Sequence, residues 1–203
     1  VVDGIGRTYR TTENYTDYDG NPATATQEIY YDANGNKEKV VDANNKAYNY
    51  TYTARDKVET GEDPEGNITN YTYDKVDNVL SMTGPRGNAV NDNGNKKYTG
   101  DFTLLYTYDS LNRLIHAQLP QPANETTKRN IWFEYDPRGN LLTRIEPNGS
   151  KTVNTYTKRN QLLTETLEGT VSYTTTYAYD EAGNQTTITT PEDEVTTMHY
   201  NGL

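Results

Sequence analysis

The sequence contains no cysteine and few large apolar side chains. The absence of cysteine excludes a disulfide framework, a thiolate zinc site and a cysteine nucleophile. Only 32 of the 203 residues are Leu, Ile, Val or Phe, which is typical of disordered chains. In contrast, there are 19 tyrosines, whose rings can be buried while their hydroxyls stay in water, and only 8 prolines. The chain is therefore predicted to fold if its tyrosines are periodic.

Basic residues and long hydrophobic runs are also scarce. There are 29 acidic and 19 basic residues, a net charge of -10, so the basic patch that drives nucleic-acid binding is missing. No apolar run approaches the roughly 18 residues of a membrane helix. We therefore expect neither DNA nor RNA as a partner and no membrane span. The start, Val1-Val2-Asp3-Gly4, has no initiator Met and no signal-like segment, so we expect a piece of a longer chain.

A tetrad, Tyr-x-Tyr-Asp or a close variant, recurs with an underlying period of 21 residues. Three positions after each of the first seven copies comes a residue type that tolerates a positive φ angle. We predict a tight turn at each of these positions and call these turns the YD turns. The tetrads end at Asp32, Thr53, Asp74, Asp109, Asp136, Thr157, Asp180 and Asn201. The seven predicted turn residues are Gly35, Asp56, Asp77, Asn112, Gly139, Asn160 and Gly183.

A second turn is predicted near the middle of each unit, where proline often precedes Gly by two positions, as in Pro64-Glu65-Gly66 and Pro147-Asn148-Gly149. Between the turns, polar and aromatic residues alternate with period 2, as in residues 48–52, which indicates strands. No window predicts a helix. We expect an all-β fold, an antiparallel hairpin meander of about sixteen strands. Strand twist favours a curved or spiralling sheet.

The repeats run through the whole chain without a visible domain boundary. We expect one array over residues 1–203, with an irregular first repeat at 1–28 and regular repeats at 29–203. The largest insertion is expected at residues 88–105, which are polar and rich in turn residues.

Four segments, at residues 31–36, 108–114, 135–141 and 179–184, resemble the YD repeats of the Rhs family. This family includes bacterial polymorphic toxins, wall-associated proteins of Gram-positive bacteria, the C components of Tc toxins and the animal teneurins. The resemblance implies a strip of hairpins that winds into a hollow shell, part of which this chain would form. In the toxins the shell encloses a C-terminal effector. It also implies an older suggestion, that the repeats bind carbohydrate.

The resemblance leads to two functional hypotheses. The first is a non-catalytic wall segment of a secreted or cell-surface bacterial protein, whose partners are the remainder of its parent chain and a C-terminal effector. The alternative is an extracellular adhesion module that binds glycans or a partner protein. No enzyme activity, cofactor or metal is expected under either hypothesis.

Several motifs that suggest chemistry have simpler interpretations. Asp63-Pro64-Glu65-Gly66 resembles half of an aspartyl self-cleavage signature, but the second box has Gly84 in place of the second Asp, so both are interpreted as turns. Asp17 to Glu28 has the length of a calcium loop, but proline stands at its sixth position. Most tyrosines recur at fixed repeat positions, which favours packing between strands. Trp132 is expected in an irregular segment after Pro120-Gln121-Pro122, outside this pattern, and is our candidate for a contact surface.

Overall fold

A computed structural model of the chain describes residues 1–90, 94, 97, 100–123 and 125–200. Sixteen strands are arranged in chain order in an antiparallel sheet, and β8 and β11 form a separate pair. This confirms the predicted all-β hairpin meander. The strands are β1 (Arg10–Thr16), β2 (Pro22–Tyr31), β3 (Lys37–Val41), β4 (Ala47–Tyr52), β5 (Val58–Glu62), β6 (Ile68–Tyr73), β7 (Val79–Thr83), β8 (Gly100–Asp101), β9 (Thr103–Tyr108), β10 (Leu114–Gln118), β11 (Gln121–Pro122), β12 (Asn130–Tyr135), β13 (Leu141–Ile145), β14 (Lys151–Tyr156), β15 (Leu162–Glu168), β16 (Tyr173–Tyr179), β17 (Gln185–Thr189) and β18 (Val195–Thr197).

The chain divides into two compact units. The first comprises Val1–Leu104 and Gln121–Asn124, and the second comprises Leu105–Pro120 and Glu125–Leu203. In the first unit, each strand from β1 to β6 pairs with the next strand along the chain. In the second unit the same is true from β12 to β18.

Within each unit the sheet is a single layer with two chemically different faces. Tyr50 and Tyr52 lie on one face, which we call the tyrosine face. Between them Thr51 points to the other side, the threonine face, where its hydroxyl lies 2.7 Å from that of Thr60. Such cross-strand pairs stabilise a sheet. Among the described residues, Ala117 is the only buried hydrophobic side chain, so neither unit has a closed core.

Helix α1 (Pro85–Asn88) was not predicted, and the expectation of no helix is wrong at this point. Here the second turn of its unit opens into one helical turn, in which Gly87 N–H donates to Gly84 O at 2.9 Å and Ala89 N–H donates to Pro85 O at 2.8 Å. Proline favours this start because its fixed φ suits the first helical position.

The remaining irregular segments are only partly described. Residues 1–28, expected to be an irregular first repeat, contain β1 and the start of β2. Of the predicted insertion at 88–105, residues 91–93, 95, 96, 98 and 99 lie outside the described residues. The last predicted tetrad ends at Asn201, which also lies outside them.

Candidate functional site: the YD turns

All YD turns have the same backbone geometry. In the turn from Asp136 to Asn140, Gly139 N–H donates to Asp136 O at 3.1 Å and Asp136 N–H donates to Asn140 O at 2.9 Å. This is a type I turn followed by a left-handed residue, a common hairpin connection. The structure places all seven predicted turn residues in the left-handed region, with φ between 57° and 95°: Gly35, Asp56, Asp77, Asn112, Gly139, Asn160 and Gly183.

The aspartate of the motif closes its own turn. Asp136 Oδ1 accepts the N–H groups of Arg138 at 2.8 Å and Asn140 at 2.9 Å, and Oδ2 accepts Nδ2 of Asn140 at 2.8 Å. The Asn140 side chain, followed by the backbone N–H groups, holds the pKa of Asp136 below its ordinary value. At Thr157 a hydroxyl replaces the carboxylate and accepts the corresponding N–H groups at 3.2 and 3.3 Å. The carboxylate of Asp136 is therefore engaged in closing the turn.

A β-bulge follows each of the seven YD turns, and tyrosine hydroxyls bond the backbone carbonyls next to most of these bulges. In the hairpin of β4 and β5 the register shifts next to Tyr52, and β5 pairs with β6 only from Thr60 onward. The carbonyl of Val58 lies beyond that ladder and accepts the hydroxyl of Tyr73 at 2.7 Å. Burial raises the pKa of the Tyr73 phenol, so the donor stays protonated. The same bond, at 2.7 to 3.0 Å, is made by Tyr31, Tyr52, Tyr73, Tyr135, Tyr156, Tyr179 and Tyr200.

Neighbouring YD turns within each unit are hydrogen-bonded to each other. In the second unit Arg138 Nη1 donates to Lys158 O at 3.0 Å and Asn140 Nδ2 donates to Asn160 Oδ1 at 3.1 Å. In the first unit Asn36 Nδ2 donates to Asp56 Oδ1 at 2.8 Å. The motif residues thus hold each hairpin to the next.

Comparison with known proteins agrees with this arrangement. Residues 156–195 match the family model described as RHS Repeat. This match confirms the resemblance to the Rhs and YD-repeat family. No curated protein matches the chain.

Two solved structures share the fold of this chain. The crystal structure of TcdB2-TccC3-TEV matches with a TM-score of 0.73 and 17% identity, over 97% of this chain and 11% of that chain. A mutant of the Photorhabdus luminescens Tc holotoxin pore matches with a TM-score of 0.70 and 18% identity, over 95% of this chain and 11% of the other. This chain thus spans about a tenth of the length of these relatives.

Trp132 lies within strand β12 rather than in an irregular segment after Pro120. Its ring stacks on His116 of β10, with centroids 4.0 Å apart and planes inclined by 19°. His116 Nε2 lies 2.9 Å from Asn130 Oδ1. Trp132 remains 48% exposed. The sequence alone did not predict that Trp132 stacks on His116. The register that places the two residues opposite each other depends on the irregular segment between β10 and β12.

The other candidate motifs close turns or form nearby ion pairs. Asp17 Oδ1 accepts N–H groups of its own turn, and Glu28 pairs with Arg10. Asp63 closes its turn in the same way as Asp17. Within the part of the chain that the structure describes, no group of three or more His, Cys, Asp or Glu side chains is placed to hold a metal ion. No helix among those residues has the length and hydrophobicity needed to cross a membrane.

Proposed function

We propose that this chain is a non-catalytic structural segment of a secreted or cell-surface bacterial YD-repeat protein. In it the hairpins form part of the wall of a shell that encloses a C-terminal effector. One observation carries the proposal: the Asp and Tyr side chains that define the repeat are engaged in closing turns and capping backbone carbonyls. Its partners are the remainder of the parent chain and the effector. The fold match to about a tenth of much longer Tc toxin chains supports this assignment.

The proposal is tested by limited proteolysis of the full-length parent beside its separately expressed downstream domain. An enclosing wall shields the downstream domain, so that domain is cleaved much more slowly within the parent than alone. Equal cleavage rates in the two contexts contradict the encapsulating role.

An adhesion module is the second candidate, because Trp132 presents a half-exposed ring stacked on His116. Aromatic rings offer an apolar face to the C–H side of a sugar. A glycan array then gives reproducible hits that weaken when Trp132 is replaced by Ala but persist in Leu105→Ala, a change at another exposed apolar residue of the same unit. A blank array removes this candidate.

A further inference from the structure

The dipeptide Asn-Gly occurs in both kinds of turn within the described residues. Asn34-Gly35 lies in a YD turn, and Asn148-Gly149 lies in the second turn of its unit, at residues 146–150. The two glycines have φ angles of 94° and 85°, and their N–H groups donate to the first carbonyl of their turn at 3.1 and 2.9 Å. The same dipeptide therefore has the same backbone geometry in two different surroundings.

The carboxamide of Asn148 lies along the backbone that follows it. Asn148 and Gly149 are both exposed to solvent. Asn148 Oδ1 accepts the N–H group of Ser150 at 3.0 Å, which holds the side-chain carbonyl beside the intervening Gly149 nitrogen. Glycine has no side chain to shield that nitrogen. The Ser150 donor also stabilises the negative charge that Oδ1 takes up when a nucleophile adds to Cγ.

The carboxamide of Asn34 is held by the neighbouring YD turn instead. Asn34 Nδ2 donates to Asp56 Oδ1 at 3.2 Å, so the side chain reaches across to the next hairpin. The carboxylate of Asp56 opposes negative charge on this carboxamide, both during addition to Cγ and in an acidic product. Gly35 is half-buried, whereas Gly149 is exposed. The surroundings of Asn34 therefore disfavour the reaction that those of Asn148 favour.

We propose that Asn148 is a site of spontaneous deamidation and isoaspartate formation, and that Asn34 is protected from it. The Gly149 nitrogen loses its proton to solvent and bonds to Asn148 Cγ. The bond from Cγ to Nδ2 breaks, and ammonia leaves after taking a proton from water. A water molecule then adds to either carbonyl carbon of the cyclic imide and opens the ring, which gives aspartate or isoaspartate.

The modified turn keeps its place in the sheet. Isoaspartate lengthens the backbone of the turn by a methylene carbon, and second turns are where this chain carries helix α1 and its largest insertion. The reaction also adds a negative charge to a chain whose net charge is -10. This goes beyond a structural role, because it gives the array a covalent change that accumulates with time.

The test is incubation of the folded 203-residue chain at mildly alkaline pH, followed by tryptic digestion and mass spectrometry of timed samples. The peptide of residues 145–151 carries Asn148, and that of residues 11–37 carries Asn34. Fragment ions locate the modified residue, and an isoaspartyl methyltransferase labels the isoaspartate product. Asn148 is lost about tenfold faster than Asn34, the order of rate change that one hydrogen bond supplies. In the chain unfolded by urea the two rates become similar.

Two variants separate the dipeptide from its surroundings. Asp56→Gly suits the φ of 57° at this position and removes the acceptor, so Asn34 is lost faster. Gly149→Asn keeps the left-handed conformation, which Asn45 adopts at the same place in another second turn with a φ of 60°. Its side chain shields the backbone nitrogen, so Asn148 is lost more slowly. Circular dichroism checks that each variant keeps its β structure.

The proposal is overturned if Asn34 and Asn148 are lost at equal rates in the folded chain. It is equally overturned if Asn148 persists in the folded chain while it is lost from the unfolded chain, or if Asp56→Gly leaves the rate at Asn34 unchanged. These results are independent of effector shielding in the parent chain.

Discussion

In units without an insertion, the two turns have the same backbone pattern but differ in their surroundings. At residues 146–150, opposite the YD end, Gly149 N–H donates to Glu146 O at 2.9 Å, the same pattern as at residues 136–140. All seven YD hairpins carry a register shift, whereas the described opposite hairpins pair in regular register. The tyrosine hydroxyl bonds also lie at the YD end.

This difference explains where the repeat units vary in length. All seven YD turns span five residues, as their closing hydrogen bonds show. Helix α1, the segment at 88–105 and the stretch between β10 and β12 all fall at opposite turns. A turn that is hydrogen-bonded to its neighbours through backbone and side-chain groups must keep its geometry. The opposite turns have weaker ties, such as the exposed ion pair of Lys46 with Glu65 at 2.8 Å, and they tolerate insertion.

Alkaline pH is expected to have the largest effect, because it acts on four of the tyrosine donors at once. Burial raises the folded-state pKa of Tyr52, Tyr73, Tyr135 and Tyr156 above the ordinary value of 10.0. Their contribution to stability is complete below pH 10.0 and is lost as the pH rises through the folded-state pKa. Tyrosinate absorbance and circular dichroism should therefore change together above this pH. Complete ionisation with native circular dichroism would contradict the role of the hydroxyls.

The same three-residue insertion should destabilise the two kinds of turn within one unit to different extents. Gly-Ser-Gly inserted between Arg138 and Gly139 removes several hydrogen bonds, each worth about 1 kcal/mol, so the free energy of unfolding falls by about 2–4 kcal/mol. The same insertion between Asn148 and Gly149 lengthens an opposite turn and costs under about 1 kcal/mol. Urea denaturation measures the free energy of unfolding of both insertion variants. Equal losses would mean that the two turns are equivalent.

The next prediction concerns the residue of a YD turn that adopts the left-handed conformation. Replacing Gly139, which has a φ of 92°, with Val is expected to cost about 1–2 kcal/mol, because a branched side chain clashes in this conformation. Gly139→Asn should be mild, since Asn160 adopts the same region in the next YD turn with a φ of 63°. Denaturation curves that shift equally for both variants would refute the assigned role of this position.

Period and turn chemistry made much of the fold predictable from sequence. Alternating tyrosines indicate strands, and Gly, Asn or Asp three positions after each tetrad indicates a turn. The bulges were not predicted, although apolar pairs such as Leu141-Leu142 mark the places where alternation breaks. Helix α1 was missed because Pro85 fits both a turn and a first helical position.

The pairing of Tyr50 with Gly61 and the stack at His116 were not predictable for a different reason. Both depend on which residues face each other across strands, and bulges and insertions shift that register. A glycine in a strand can mark a weak strand, a bulge or a cavity, and only its cross-strand neighbours distinguish these possibilities.

Removing one tyrosine hydroxyl gives a smaller and more local test. Tyr73→Phe leaves the Val58 carbonyl without its donor and should cost about 1 kcal/mol. Tyr71→Phe, two residues earlier on the same face, removes a hydroxyl without a partner among the described residues and should change stability by less than about 0.5 kcal/mol. Thermal unfolding of the two variants provides the comparison, and equal losses would argue against carbonyl capping.

The smallest effect is expected where a YD turn lacks its aspartate. Thr157→Asp replaces hydrogen bonds of 3.2 and 3.3 Å with a carboxylate acceptor, which reaches the equivalent N–H groups at 2.8 and 2.9 Å in the turn at Asp136. Bonds to charged acceptors are stronger, so unfolding at neutral pH should require about 0.5 kcal/mol more. Thr157→Asn supplies an uncharged acceptor and should gain less. The gain from aspartate should disappear as acid protonates the carboxylate, and a gain that persists there would assign it to side-chain shape instead of charge.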